Sequence, residues 1–166
     1  MDITAGSDGI QATTITQIDG GDITISGSEG IEATYVQING GTIKISASDD
    51  GINGSAKSSA YSVRVEINGG DITIDMGQGD TDGIDSNGDI YINGGTVSVN
   101  GQSPFDYDGQ GQLNGGTVIV NGSETTELTN QFGGGMGGPG GMQGGPGGMG
   151  GSGGMQGGPS GNMGGF

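Results

Sequence analysis

The chain has 166 residues, of which 28% are hydrophobic, 4% are aromatic and 44 are glycine, too few apolar side chains for an ordinary globular core. Its formal charge of −16 sets 19 acidic residues against Lys44, Lys57 and Arg64. That balance excludes nucleic-acid binding through phosphates, which needs clustered Lys and Arg, and attraction to anionic membranes. Cysteine and histidine are both absent, which removes disulfides, thiolate metal sites and the commonest general base.

Met1 is followed at once by strand-like Asp2-Ile3-Thr4 with no leader-like segment. The first coil is therefore expected to begin partway through, as in a piece of a longer precursor. No apolar stretch approaches the ~20 residues that cross a bilayer, so membrane insertion is not expected.

Internal repetition sets the expected architecture. Gly-Gly pairs stand at 20–21, 40–41, 69–70, 94–95 and 115–116, at intervals of 20, 29, 25 and 21 residues. The basic period is near 20, with two insertions. An alternating run follows each pair: Asp22-Ile23-Thr24-Ile25, Thr42-Ile43-Lys44-Ile45, Asp71-Ile72-Thr73-Ile74, Thr96-Val97-Ser98-Val99 and Thr117-Val118-Ile119-Val120. Period-2 alternation of β-branched residues predicts half-buried strands, with Ile23, Ile43, Ile72, Val97 and Val118 in one inward ladder.

A second register reads Asp8-Gly9-Ile10, Glu29-Gly30-Ile31, Asp50-Gly51-Ile52 and Asp82-Gly83-Ile84. A third precedes the glycine pairs: Ile18-Asp19, Ile38-Asn39, Ile67-Asn68, Ile92-Asn93 and Leu113-Asn114. Three short strands per period predict an all-β fold, a right-handed single-stranded parallel β-helix of about five coils over residues 1–132. The Asn column is expected to form a side-chain ladder at a glycine-made corner, a structural feature and not a site. The calcium β-roll nonapeptide, Gly-Gly-x-Gly-x-Asp-x-U-x with U a large aliphatic, does not recur. Residues 55–62 and 76–81 read as loops inserted at corners, where solenoids often carry binding.

From Gly133 to Phe166 the chain is a Gly/Met/Pro-rich, uncharged tail. Two readings stand: a flexible linker, or polyglycine-II-like extended strands.

The acidic residues gather at one corner. In register, Asp8, Glu29, Asp50 and Asp82 form one column, and Gln11, Glu32, Asn53 and Asp85 a second that should point outward. Stacked carboxylates repel unless neutralised. One reading is a solvated acidic face. The other is at least one calcium ion held by some of Asp49, Asp50, Asn53, Asp80, Asp82 and Asp85, since calcium takes six to eight oxygen ligands in flexible geometry.

The unit Gly-Gly-x-Ile-x-Ile, then Asp-Asp-Gly-Ile, then Ile-Asn-Gly-Gly is plainest at 38–54 and 67–95. It resembles bacterial carbohydrate-binding β-helix domains, related in fold to family 9 polysaccharide lyases. The resemblance covers roughly residues 1–122. It implies an extracellular, secreted or cell-surface protein that binds acidic or cellulosic plant polysaccharide, with calcium at clustered aspartates.

Catalysis is not expected. Uronate elimination needs a base and charge neutralisation in a cleft, and five short coils with small insertions offer none. The aromatics available to a sugar are Tyr35, Tyr61, Tyr91, Phe105 and Tyr107; Tyr61 and Tyr91, with Lys57 in the first insertion, are the candidate carbohydrate-binding residues. A rival reading is a structural subunit of an extracellular fibre, because an abruptly begun solenoid offers unpaired edges for head-to-tail assembly into a filament.

Overall fold

The computed structural model describes residues 1–79 and 81–130. Asp80 and the expected tail at 133–166 lie outside the described residues. Within them the chain is all-β, without a helix, and winds as a parallel β-solenoid of about five turns. No helix long and apolar enough to cross a membrane occurs there.

Strand β1 (Asp2–Thr4) precedes five triplets of strands. The first coil carries β2 (Ile10–Gln11), β3 (Ile15–Ile18) and β4 (Asp22–Gly27), and the second carries β5 (Ile31–Ala33), β6 (Tyr35–Ile38) and β7 (Thr42–Ala47). The third has β8 (Asp50–Gly54), β9 (Arg64–Ile67) and β10 (Asp71–Met76). The fourth has β11 (Asp82–Ser86), β12 (Asp89–Ile92) and β13 (Thr96–Asn100). The fifth has β14 (Ser103–Tyr107), β15 (Gly111–Leu113) and β16 (Thr117–Val120), and β17 (Ser123–Thr125) closes the series.

Like strands stack on like. Sheet A runs β1-β4-β7-β10-β13-β16-β17, sheet B β2-β5-β8-β11-β14, and sheet C β3-β6-β9-β12-β15. In sheet A, Ile23, Ile43, Ile72, Val97 and Val118 pair rung on rung, as do Ile25, Ile45, Ile74, Val99 and Val120. Sheet B adds Ile10, Ile31, Ile52, Ile84 and Phe105, and sheet C adds Ile18, Ile38, Ile67, Ile92 and Leu113. Most of these side chains are fully buried, each worth about 1.5–3 kcal/mol of transfer free energy. A narrow core thus suffices for a chain with few hydrophobics.

The glycine-pair corner works as its residue types require. Its second glycine is left-handed in every coil, with φ of 103° at Gly41 and 104° at Gly70, a conformation only glycine adopts cheaply. Beside it Asn39 donates through Nδ2 to Asp19 Oδ1 at 2.7 Å, Asn68 to Asn39 at 2.9 Å, and Asn93 to Asn68 and Asn114 to Asn93 at 2.8 Å each. The ladder is solvent-exposed rather than enclosed. It ends on Asp19, an acceptor that needs no further donor, and the bonds from Asn39 and Gln17 hold this carboxyl below its ordinary range.

The far end differs from the repeat. β17 turns back antiparallel on β16, Leu128 is buried in the core, and Tyr107 Oη donates to the Leu128 carbonyl at 2.8 Å. This is a cap of the kind solenoids need. It places Phe105, 1% exposed, in the core and ties Tyr107 to the cap, so neither is the surface aromatic that the sequence suggested.

The Asp-Gly-Ile corner has no room for a side chain. A Cβ on Gly51 would overlap the Gly83 carbonyl oxygen of the next coil and Ile74 Cγ2 of its own. Gly51→Ala is expected to destabilise the fold by about 1–3 kcal/mol through overpacking. Gly6→Ala, which faces open space, should leave the urea midpoint unchanged. Equal midpoints for the two variants would contradict the packing described.

Candidate functional site

The Asp-Gly-Ile-x segment makes the site. Gly51 and Ile52 both face the core as the chain turns the corner, so Asp50 and Asn53 come out on the same side, and Asn53 Nδ2 donates to Asp50 Oδ2 at 3.0 Å. Gln11 Nε2 reaches Asp8 Oδ2 in the same way. Register then stacks Gln11, Glu32, Asn53, Asp85 and Asp106 in one column. Asp50, Asp82 and Ser103 are paired in the column beside it. Together they form an acidic trough along sheet B, with rungs about 4.8 Å apart.

Two groups in this trough could hold a metal ion: Asp8, Glu29 and Glu32 at one end, and Asp82, Asp85 and Asp106 at the other. In each group one carboxylate oxygen from each residue lies within 4.8 Å of the others. Asp82 and Asp85, expected as ligands, thus meet Asp106, which the sequence did not single out because Ser103-Pro104-Phe105 replaces Asp-Gly-Ile on that rung. Asp50 and Asn53 lie between the groups. Asp49 is exposed beside them and belongs to neither. Asp80 lies outside the described residues.

The electrostatics are those of closely stacked carboxylates. Burial, reinforced by Glu32 and Asp8, pushes the Glu29 carboxyl up to about 7. Asp50 is raised to about 7 by burial and by Asp85 and Asp49. Asp85 is raised to about 7 by burial and by Asp106 and Asp82. Two acceptor atoms, Glu29 Oε2 and Asn53 Oδ1, are buried without a hydrogen-bond partner, and Asn53 is only 9% exposed. Such atoms are costly unless a donor or cation meets them.

At one end the chain supplies its own cation. Lys57 Nζ lies 2.7 Å from Glu32 Oε2, while Ser55 Oγ and Gln11 Nε2 donate to the same carboxylate at 2.8 and 2.7 Å. Burial opposes the ionisation of Glu32, but these bonds outweigh it and hold the carboxyl below its ordinary range. The inserted loop is anchored by buried Thr34, whose Oγ1 accepts the amides of Lys57 and Ser58 at 3.1 and 2.9 Å. The other basic residues stand on other faces, Lys44 exposed on sheet A and Arg64 on sheet C.

Of the three candidate carbohydrate-binding residues, Lys57 is engaged with Glu32 on sheet B. Tyr61, 47% exposed, leaves the same loop on the sheet C side and meets Tyr35 at 5.8 Å between ring centroids. Tyr91 faces outward on β12, pairs in register with Glu66 and donates to Asp89 Oδ2 at 2.9 Å.

Residues 1–82 match the family model described as carbohydrate-binding domain-containing protein. That stretch covers β1 through β10 and ends at the start of β11. No curated protein and no solved structure matches the chain.

Two outcomes follow from the charges. Carboxyls raised in the folded state favour stability below the ordinary carboxylate range and lose it as pH rises through about 7. In chelator, acidification from about pH 8 to about pH 5.5 should raise the melting temperature; Glu32, Glu66 and Asp19, held low, act in the opposite direction only at more acidic pH. A melting temperature flat across that range would contradict the burial of Glu29, Asp50 and Asp85. Lys57→Ala, which strips Glu32 of its cation, should lower the urea midpoint, by less than breaking a fully buried pair would because Lys57 is partly exposed; an unchanged midpoint would contradict the pairing.

Proposed function

We propose that this protein is an extracellular, non-catalytic polysaccharide-binding module whose acidic trough takes up calcium. The observation that carries the reading is the match of residues 1–82 to a carbohydrate-binding domain family. Calcium is supported by the donor set, carboxylate and amide oxygens without nitrogen or sulfur ligands, and by the unpartnered Glu29 and Asn53 oxygens in the same trough. Asp50, Asn53, Asp82, Asp85 and Asp106 are the residues assigned to it, with Asp49 and Asp80 as flanking candidates. The extracellular setting belongs to the same proposal and is supported by the resemblance of the repeat unit to carbohydrate-binding β-helix domains. The ligand class is plant polysaccharide, acidic or cellulosic, and kinship with family 9 polysaccharide lyases rests on the repeated motif. A binding role without chemistry agrees with the engagement of Lys57 and Arg64 in ion pairs.

A fibre subunit is the second reading. It rests on the parallel stacking of like strands, a pattern that a coil of a second copy could extend. The antiparallel β17 would have to be displaced before another coil could stack on β16, so simple head-to-tail stacking is opposed at that end.

Calorimetric titration of the full chain with calcium should give a saturable isotherm and a higher melting temperature, both reversed by EDTA. Retention on insoluble cellulose or immobilised polygalacturonate, measured with and without calcium, tests the ligand. Loss of retention on every polysaccharide, with regular fibres under negative stain, would move the assignment to the fibre.

A further inference from the structure

We infer that the outer face of sheet C is a metal-independent docking surface for an uncharged glycan chain. The inference rests on the polysaccharide-binding reading and names where, and with what chemistry, the sugar is held. On this face Tyr35, Arg64 and Asp89 stack in one column, and Gln37, Glu66 and Tyr91 in the next. Tyr35 is a buried base: Arg64 Cζ lies 4.0 Å over its ring, and its hydroxyl donates to Glu66 Oε2 at 2.9 Å while accepting from Gln37 Nε2 at 2.7 Å. Tyr61 leans on that base at a 50° tilt and leaves nearly half its surface to solvent.

Two outward aromatics thus flank a hydrogen-bonded strip of amide, carboxylate and guanidinium groups. Tyr35, which carries Tyr61, and Tyr91 lie two rungs and two strand residues apart, about 12 Å between backbones, the scale of a short oligosaccharide. Pyranose rings present C–H faces to aromatic rings and hydroxyls to groups that both donate and accept. The single cation, Arg64, is countered by Glu66 at 3.5 Å and stands in register with Asp89. The strip therefore carries no uncompensated positive charge to recruit a uronate, and its carboxylates outnumber its one cation and repel such a sugar. Charge selects a neutral chain. Sheet B, the metal-holding face, is not needed for it.

The test uses the full chain, with hydroxyethyl cellulose as the neutral glycan and polygalacturonate as the acidic one, in affinity electrophoresis in EDTA and in calcium. Hydroxyethyl cellulose should retard the protein equally in both buffers. Tyr61→Ala and Tyr91→Ala should each weaken that retardation about tenfold, the loss of a stacking contact, with unchanged melting temperature. Lys44→Ala, on sheet A, should behave as the parent. Parental retardation of both tyrosine variants would overturn the inference. So would binding confined to polygalacturonate in calcium, which would leave the polysaccharide-binding assignment standing. Retardation by neither glycan in either buffer would overturn both.

Discussion

Everything in this molecule depends on the hydrogen-bonded stacking of one coil on the next, about 4.8 Å apart. A residue at a given corner has its counterpart directly above and below it, so each column must consist of side chains that tolerate their own kind. Isoleucine and valine do so by excluding water. Asparagine does so because its amide donates upward and accepts from below, and the Asn39–Asn114 ladder ends on an aspartate where only an acceptor is needed. Glycine does so by leaving room, as between Gly30, Gly51 and Gly83, where successive backbones are too close for any Cβ.

Carboxylates do not tolerate their own kind, yet sheet B stacks them. The strain appears as Glu29, Asp50 and Asp85 raised to about 7, and as buried oxygens with no donor. At one end the inserted loop relieves it with Lys57. Nothing equivalent from the chain's three basic residues reaches Asp82 and Asp85, because the other two stand on sheets A and C. An arrangement that stacking alone would penalise is consistent with an external cation in the proposed assignment, and it separates an acidic face from the rest of the surface.

The insertion between β8 and β9 serves two faces at once. Thr34 fixes its start, Lys57 turns towards Glu32 on sheet B, and Tyr61 towards Tyr35 on sheet C. Residues four apart in the chain thereby belong to different surfaces. A single loop at the corner of two sheets thus contributes Lys57 to the trough and Tyr61 to the aromatic strip.

The periodic features were legible from residue order. Repeated Gly-Gly pairs, β-branched alternation and recurring Asp-Gly-Ile report columns directly, because a solenoid maps sequence period onto spatial neighbours; the three ladders, the Asn column and the two acidic columns follow from that mapping. What breaks the repeat had no such signal. The fifth rung of sheet B, Ser103–Tyr107, shares no motif with the other four, so Asp106 joined the trough and Phe105 entered the core only once strand pairing was known. The antiparallel β17 and the destination of Lys57 depend on where a non-repeating loop folds back, a matter of tertiary contact rather than period. Local order thus decided the fold and the existence of an acidic edge, while the three-dimensional packing of its exceptions decided which carboxylates meet, which one is already neutralised, and which aromatics remain at the surface.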